Sequence, residues 1–389
     1  MLDYGLLFVL LVLAAASGWL VARRRETARR RRRTGALSTN YFKGLNYLLN
    51  EQPDKAIEVF LKLAEINRDT VETHLALGNL FRRRGEMDKA IRFHKHIITR
   101  PDLSDEQRSR ALLELGEDYM QAGLLDRAER LFSELLEHSI EHDRPARQLL
   151  DIYQQEKDWE KAIVQARRLR RHDGEGFDRV IGHLYCEIAR EALERGDSDA
   201  VAPALRQARR HDPRSARARL LQAELSSRRD DWHGAAEYYR EACELDPDCL
   251  VFSLDVLMEA HRHSDQSEAV ANWLADMVEK RPMSTAILAL ARIKADSDPQ
   301  QAVEFLLQHQ SQRPTVKGLE YLIELVYRQG VSLDELGPDM MRDLVQRLLE
   351  DQPLYRCQHC GFSGRTWHWQ CPGCRQWDST RAIAGVLGE

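Results

Sequence analysis

Between residue 39 and the C-terminal cysteines, no stretch alternates apolar and polar residues with the two-residue period of a strand. That excludes a body built on β-sheet. The phosphate-binding loop Gly-x-x-x-x-Gly-Lys-Ser/Thr, the Gly-x-Ser-x-Gly elbow and the His-Glu-x-x-His helix are all missing. One catalytic pattern does occur: His138-Ser139-Ile140-Glu141-His142 reads His-x-x-Glu-His. It falls at the end of a helical segment, just before Asp143-Arg144-Pro145, with no sheet to support it. With fourteen histidines in the chain, a chance match is unremarkable, and the chain reads as a non-enzyme. Also missing is positive charge ahead of the first apolar run, where only Asp3 stands. An ordinary signal peptide is basic there, although Ala14-Ala15-Ala16 offers small residues of the cleavage-site kind.

That first run, residues 4–22, is nearly all apolar. As a helix it spans roughly 28 Å, about one hydrocarbon core. Residues 23–33 then hold eight Arg and one Glu. An acid on one flank and arginines on the other set orientation: N-terminus out, the rest of the chain in the cytoplasm. The expected topology is a single pass through a membrane. Outside the arginine segment, the formal charge of −5 for the whole chain becomes −12. So acidic a body is a poor nucleic-acid binder.

A cytoplasmic body is a reducing one, which favours free thiolates over disulfides. Seven cysteines are present. Cys186, Cys243 and Cys249 lie in helical patterns and read as buried structural thiols. The other four form two Cys-x-x-Cys pairs, Cys357/Cys360 and Cys371/Cys374. Each pair can make a knuckle offering both sulfurs to one ion, with Gly361 and Gly373 supplying backbone freedom. Zinc accepts four sulfurs tetrahedrally, and iron also suits such a set, so one zinc is expected with iron possible. Residues 353–389 are too few to hold a core, so the metal supplies folding energy. Tyr355, Phe362, Trp367, Trp369 and Trp377 are placed to shield the sulfurs and dock this ribbon on the last helices.

The middle repeats itself. Gly44, Tyr47, Ala56 and Phe60 return as Gly78, Phe81, Ala90 and His94, and again as Gly116, Tyr119, Ala128 and Phe132. Tyr153 with Ala162 and Ala166, Ala235 with Tyr239, Ala242 and Pro247, then Ala269 with Trp273 and Ala302 with Leu306, continue more loosely. The first two copies stand 34 residues apart, a period that resembles the tetratricopeptide repeat, each unit being two antiparallel helices. Small residues let paired helices cross closely, and aromatics and Leu fill the seam. Turns carry Gly or Asp, at Gly85, Gly123 and Asp158. The unit near residues 182–213 fits least well. His94, His96, His261 and His263 read as surface or seam residues.

The expected fold is all-α: a superhelix of about eight helix pairs over residues 39–315, with capping helices to 352. Residues 1–22 form a transmembrane helix ahead of it, 23–38 an Arg-rich linker, and 353–389 a four-Cys ribbon. A stack of this kind has a concave face lined by the first helix of each pair. In this frame Glu72, Asn79, Arg82, Arg110, Glu117, Arg147 and Asp151 line it and are the candidate partner-binding residues.

Anchor, repeats and terminal four-Cys ribbon, in that order, resemble the bacterial lipopolysaccharide assembly protein B family. The segments carrying the resemblance are Leu75-Ala76-Leu77-Gly78-Asn79-Leu80-Phe81-Arg82, Ala122-Gly123-Leu124-Leu125-Asp126-Arg127-Ala128-Glu129 and Tyr355-Arg356-Cys357-Gln358-His359-Cys360-Gly361-Phe362. The ribbon of that family is called rubredoxin-like. The cysteine pairs here stand closer together than in true rubredoxins. The resemblance implies an inner-membrane adaptor that restrains lipopolysaccharide synthesis. Such an adaptor is expected, from the resemblance, to promote degradation of the deacetylase committing carbon to lipid A, by the membrane-anchored AAA+ protease FtsH. It also implies a lipopolysaccharide-sensing membrane antagonist. A general tethered scaffold for lipopolysaccharide enzymes, or an iron-based redox protein, are the rival readings.

Overall fold

The computed structural model describes residues 71–138, 143–173, 176–264, 267–313, 315–328 and 352–385, with isolated positions between 43 and 59 and at 346. Fifteen helices are described in full. They are α1 Val71–Arg83, α2 Met87–Ile98, α3 Asp105–Gln121, α4 Leu125–His138, α5 Asp143–Glu156, α6 Trp159–Asp173, α7 Gly176–Glu194 and α8 Ser198–His211. After these come α9 Ala216–Ser227, α10 Trp232–Leu245, α11 Leu250–His263, α12 Ser267–Lys280, α13 Ser284–Ser297, α14 Pro299–Gln312 and α15 Val316–Arg328. Three short strands follow: β1 Tyr355–Cys357, β2 Ser363–Gly364 and β3 Thr380–Ala382. The chain is therefore all-α with a small terminal ribbon. No helix among the described residues is long and apolar enough to cross a membrane. The apolar run 4–22, its arginine flank, residues 139–142 of the His-x-x-Glu-His pattern and, apart from position 346, the capping segment 329–351 lie outside the described residues.

Helix ends follow local chemistry. Ser104 caps α3 in a reciprocal box with Gln107, and Asp197, Ser215, Asp231 and Asp298 accept from backbone N–H groups at the starts of α8, α9, α10 and α14. The tight turns between paired helices need a left-handed residue. Gly85, Gly123 and Gly196 take it at φ of 79°, 72° and 76°, and Lys157 and Asp230 fill the same place at 59° and 58°.

Close crossing of paired helices rests on missing Cβ atoms. A Cβ on Gly78 would lie 2.2 Å from the His94 ring, and one on Gly116 would lie 2.5 Å from Phe132. His94 thus occupies the slot that Phe132 occupies one repeat later. It is a fully buried seam residue, and its Nδ1–H donates to Asp118 over 2.5 Å. His261 is likewise buried and bonds the Leu257 carbonyl.

The chain divides into two compact units, residues 1–165 and 166–389, the boundary falling inside α6. In the second unit a continuous core runs from Ala216 to Leu325, with Trp369 of the ribbon packed against it. Cys243 and Cys249 are buried in that core and Cys186 in a neighbouring cluster of α7, α8 and α9. Burial pushes the Cys186 and Cys243 thiols up to about 11 and about 12, as expected of inert structural cysteines.

Candidate metal centre and helical face

The ribbon is a three-stranded antiparallel sheet in the order β2-β1-β3. Tyr355 faces Gly364 on one side and Ala382 on the other, and Cys357 faces Thr380. This short sheet presents the first knuckle, Cys357 to Cys360, against the second, Cys371 to Cys374. In each, the residue after the second cysteine turns left-handed: Gly361 at φ 78° and Arg375 at φ 57°. The second knuckle therefore does not use Gly373 for its turn. A Cβ there would meet Cys360 Sγ at 3.4 Å, an ordinary contact, so the position does not require glycine.

The four sulfurs all lie within 4.8 Å of one another. Cys357 to Cys374 and Cys360 to Cys371 are each 3.7 Å. A tetrahedron of sulfurs about 2.3 Å from a central ion has edges near ~3.8 Å, so the arrangement fits one four-coordinate cation. Burial pushes the Cys357 thiol up, but the Ser379 hydroxyl and the backbone around His359 and Cys360 outweigh it and bring it down to about 6. Cys374 goes the other way, to about 12, through burial and the three neighbouring sulfurs. A bound cation removes that mutual repulsion. Cys360 is exposed while Cys357 and Cys371 are buried, which leaves one side of the centre open to solvent.

The ribbon does not dock where its terminal position implies. Its aromatic residues reach back to the first helices of central pairs rather than only to the last helices. Trp377 stacks on His183 of α7 with ring centroids 4.8 Å apart. Arg217 of α9 lies 5.7 Å from the Trp369 ring and 5.9 Å from that of Trp377, and Trp367 packs on Phe252 of α11 at 5.1 Å. Charge completes the seat. His183 Nε2–H donates to Asp378 over 2.7 Å, and Arg381 lies 3.5 Å from Asp246 and 3.9 Å from Asp248. None of these helical partners has a local sequence signature. The nearest signal was the tryptophan-acid pair Trp377-Asp378 on a ribbon needing cover.

In the first unit, the seven candidate groove residues separate into three sets. Glu72, Asn79 and Arg110 line one cleft of about 220 Å³ together with Leu75, Ala76, Leu80 and Arg83. The Asn79 side-chain oxygen is buried there and has no hydrogen-bond partner among the described residues. Arg82 and Glu117 belong instead to an ion-pair network: Arg82 meets Glu114 at 2.6 Å, Asp118 at 2.8 Å and Glu117 at 3.0 Å, and Glu117 also meets Arg144 at 2.8 Å. Groups so engaged tie α1, α3 and α5 together. Arg147 and Asp151 sit one turn apart on α5, away from that cleft.

Comparison with known proteins agrees with this architecture. Residues 355–381 match the rubredoxin metal binding domain, and residues 37–70, 73–107 and 186–248 match tetratricopeptide repeats. A crystal structure of the C-terminal part of a tetratricopeptide repeat-containing protein from Cytophaga hutchinsonii is 15% identical. It covers 68% of this chain and 98% of its own, with a TM-score of 0.41. Lipopolysaccharide assembly protein B of Haemophilus influenzae is 29% identical over 90% of both chains. The same-named protein of Escherichia coli K12 is 35% identical over 357 residues, 90% of this chain and 91% of its own. By that full-length identity the chain belongs to the lipopolysaccharide assembly protein B family.

Proposed function

We propose that this protein is a non-catalytic adaptor of lipopolysaccharide assembly, held at the inner membrane by residues 4–22, with its repeats and ribbon in the cytoplasm. The observation that carries this is kinship over nine-tenths of the chain with proteins named for lipopolysaccharide assembly, joined to a helical repeat array that carries a cleft. The partner-facing part is the cleft at Glu72, Asn79 and Arg110, where the exposed Glu72 and Arg110 present opposite charges to an extended segment. The first-helix face of the second unit already seats the ribbon. A single zinc held by Cys357, Cys360, Cys371 and Cys374 supplies folding energy to the ribbon and no chemistry beyond it.

The finer reading is delivery of the lipid A-committing deacetylase to the membrane protease FtsH. Confinement to the membrane plane raises effective concentration, so weak contacts suffice. A lipopolysaccharide-sensing antagonist then acts through the membrane segment. A pulse-chase of the deacetylase tests this. Depleting the protein should lengthen the deacetylase half-life without changing its synthesis. An unchanged half-life would leave the general tethered-scaffold reading in its place, and a pull-down with and without the protease would then show whether other lipopolysaccharide enzymes bind.

A further inference from the structure

Seven arginines fall in the two helices that flank α7: Arg167, Arg168, Arg170 and Arg171 in α6, and Arg206, Arg209 and Arg210 in α8. Such a concentration runs against the acidic charge of the body. Between these helices lies an open, polar cavity of about 390 Å³, lined by Arg167, Arg170, Asp178, Gln207, Arg210 and His211.

The lining is held in place from within. One oxygen of Asp178 receives Arg170 Nε at 2.9 Å, and the other receives His211 Nδ1–H at 2.8 Å. Arg167 donates to the Tyr185 hydroxyl at 2.8 Å, and the Tyr185 ring lies nearly parallel to His211, centroids 6.0 Å apart. One carboxylate is thus shared by a guanidinium and an imidazole. Arg167 and Arg210 bring two further positive charges, and among the described residues neither has an acidic partner. The site is separate from the ribbon seat. Asp178 and Tyr185, seven residues apart, share one face of α7, whereas His183 sits about 140° around the helix from Asp178.

Two guanidinium forks beside a fixed imidazole call for an anion with several oxygens. A carboxylate fills one fork. A phosphomonoester presents three acceptor oxygens and a charge of about −1.5 to −2 at neutral pH, which matches both. The cavity also leaves room beside the phosphate for the group that carries it, with Gln207 as a further hydrogen-bonding side chain.

We propose that this cavity binds a phosphomonoester group, gripped by Arg167 and Arg210 and supported by the Asp178-braced Arg170 and His211. The group comes either from a soluble phosphorylated metabolite or from a phospholipid headgroup, and two probes distinguish these. The full chain in neutral detergent is titrated calorimetrically with glycerol 3-phosphate and with dihexanoyl phosphatidic acid, using dihexanoyl phosphatidylcholine as the control.

Saturable binding of either phosphomonoester, absent with phosphatidylcholine, is expected. Tighter binding of glycerol 3-phosphate assigns the soluble source, and tighter binding of phosphatidic acid assigns the headgroup. The double substitution Arg167→Ala with Arg210→Ala should weaken that binding at least ~ten-fold, as loss of two charge-assisted contacts requires. The same charge change at the distant, exposed Arg262 and Arg365 should leave it intact. Both cavity arginines are exposed, so the double variant should melt with the parent. Absence of saturation with both probes overturns the proposal. So does parental affinity in the cavity variant, or an equal loss in the Arg262/Arg365 control.

Discussion

His183 and Asp378 stand 2.7 Å apart, although 195 positions separate them in the chain. The histidine side chain is 2% exposed and the carboxylate 22%. The bond ties the ribbon to α7, on the same imidazole that stacks with Trp377. Nothing local in either segment encodes it. The pair exists because the repeat array places His183 on a first-helix face and the metal knuckles aim Asp378 at it.

Replacing that carboxylate with an amide of the same shape should loosen the ribbon. Asp378→Asn keeps an acceptor oxygen but loses its charge, and should weaken docking by about 1–3 kcal/mol at neutral pH. Burial pushes the Asp378 carboxyl up, but His183, Arg179 and Arg381 outweigh it and hold it below the ordinary range. An acid depressed on folding stabilises above its unfolded pKa of about 3.9 and loses that as pH falls through its folded value. The gap between parent and variant should therefore be full at neutral pH and shrink below about pH 4. Hydrogen exchange of residues 355–382 reads both. Equal protection of parent and variant at neutral pH would show that the bond carries no docking energy.

The paired helices offer a sharper stability test. Gly78→Ala puts a methyl 2.2 Å from the His94 ring, which is fixed by Asp118 and cannot retreat cheaply. It should destabilise the first unit by about 1–3 kcal/mol, as overpacking does. Gly176→Ala adds the same methyl with nothing within 4 Å and no left-handed φ, and should be nearly neutral. Urea unfolding of both variants separates them. Equal midpoints would mean the seam is looser than these contacts imply.

How much of this was legible in the sequence follows from range. The four cysteines were legible because each knuckle is four residues long and its chemistry is local. The helix pairs were legible because Gly78, Gly116, Ala90 and Ala128 recur at a spacing that geometry enforces. The depth of His94 was hidden. A histidine on an amphipathic pattern looks like a surface residue until the missing Cβ of Gly78 makes room for it and Asp118 of α3 accepts its hydrogen bond. Arg82 and Glu117 were placed on the right helices, but their mutual ion pair is a contact between α1 and α3 that no single-helix pattern contains. The ribbon's seat was hidden for the same reason as the His183–Asp378 bond.

Metal content checks the four-sulfur centre. Purified protein should carry about one ion per chain, with zinc expected over iron from the closed thiolate set. Cys371→Ser removes a buried ligand, so it should lose the ion and unfold the ribbon. The helical signal should be largely retained, because each repeat is stabilised by its neighbours. Elemental analysis with circular dichroism reads both quantities. Full metal retention in the variant would break the assignment, and stoichiometric iron with a visible spectrum would reinstate the redox reading.

The last expectation joins the cleft to the cell. If the cleft lined by Asn79 and Arg110 holds an extended segment of the deacetylase, Asn79→Ala with Arg110→Ala should weaken capture about ten-fold, the equivalent of ~1.4 kcal/mol. The fold should survive, since neither side chain carries a described ion pair and the Arg82 network remains. In cells the double variant should lengthen the deacetylase half-life toward that of depleted cells. Replacing residues 1–22 with a foreign membrane helix should instead preserve delivery, because the anchor supplies effective concentration rather than contact. That swap should uncouple the protein from an antagonist that reads the native helix. A pulse-chase across the depleted, cleft-variant and helix-swapped strains decides among these. A cleft variant that degrades the deacetylase at the parental rate places the recognition surface elsewhere, and the exposed edge of the ribbon around Cys360 and Phe362 becomes the next surface to mutate.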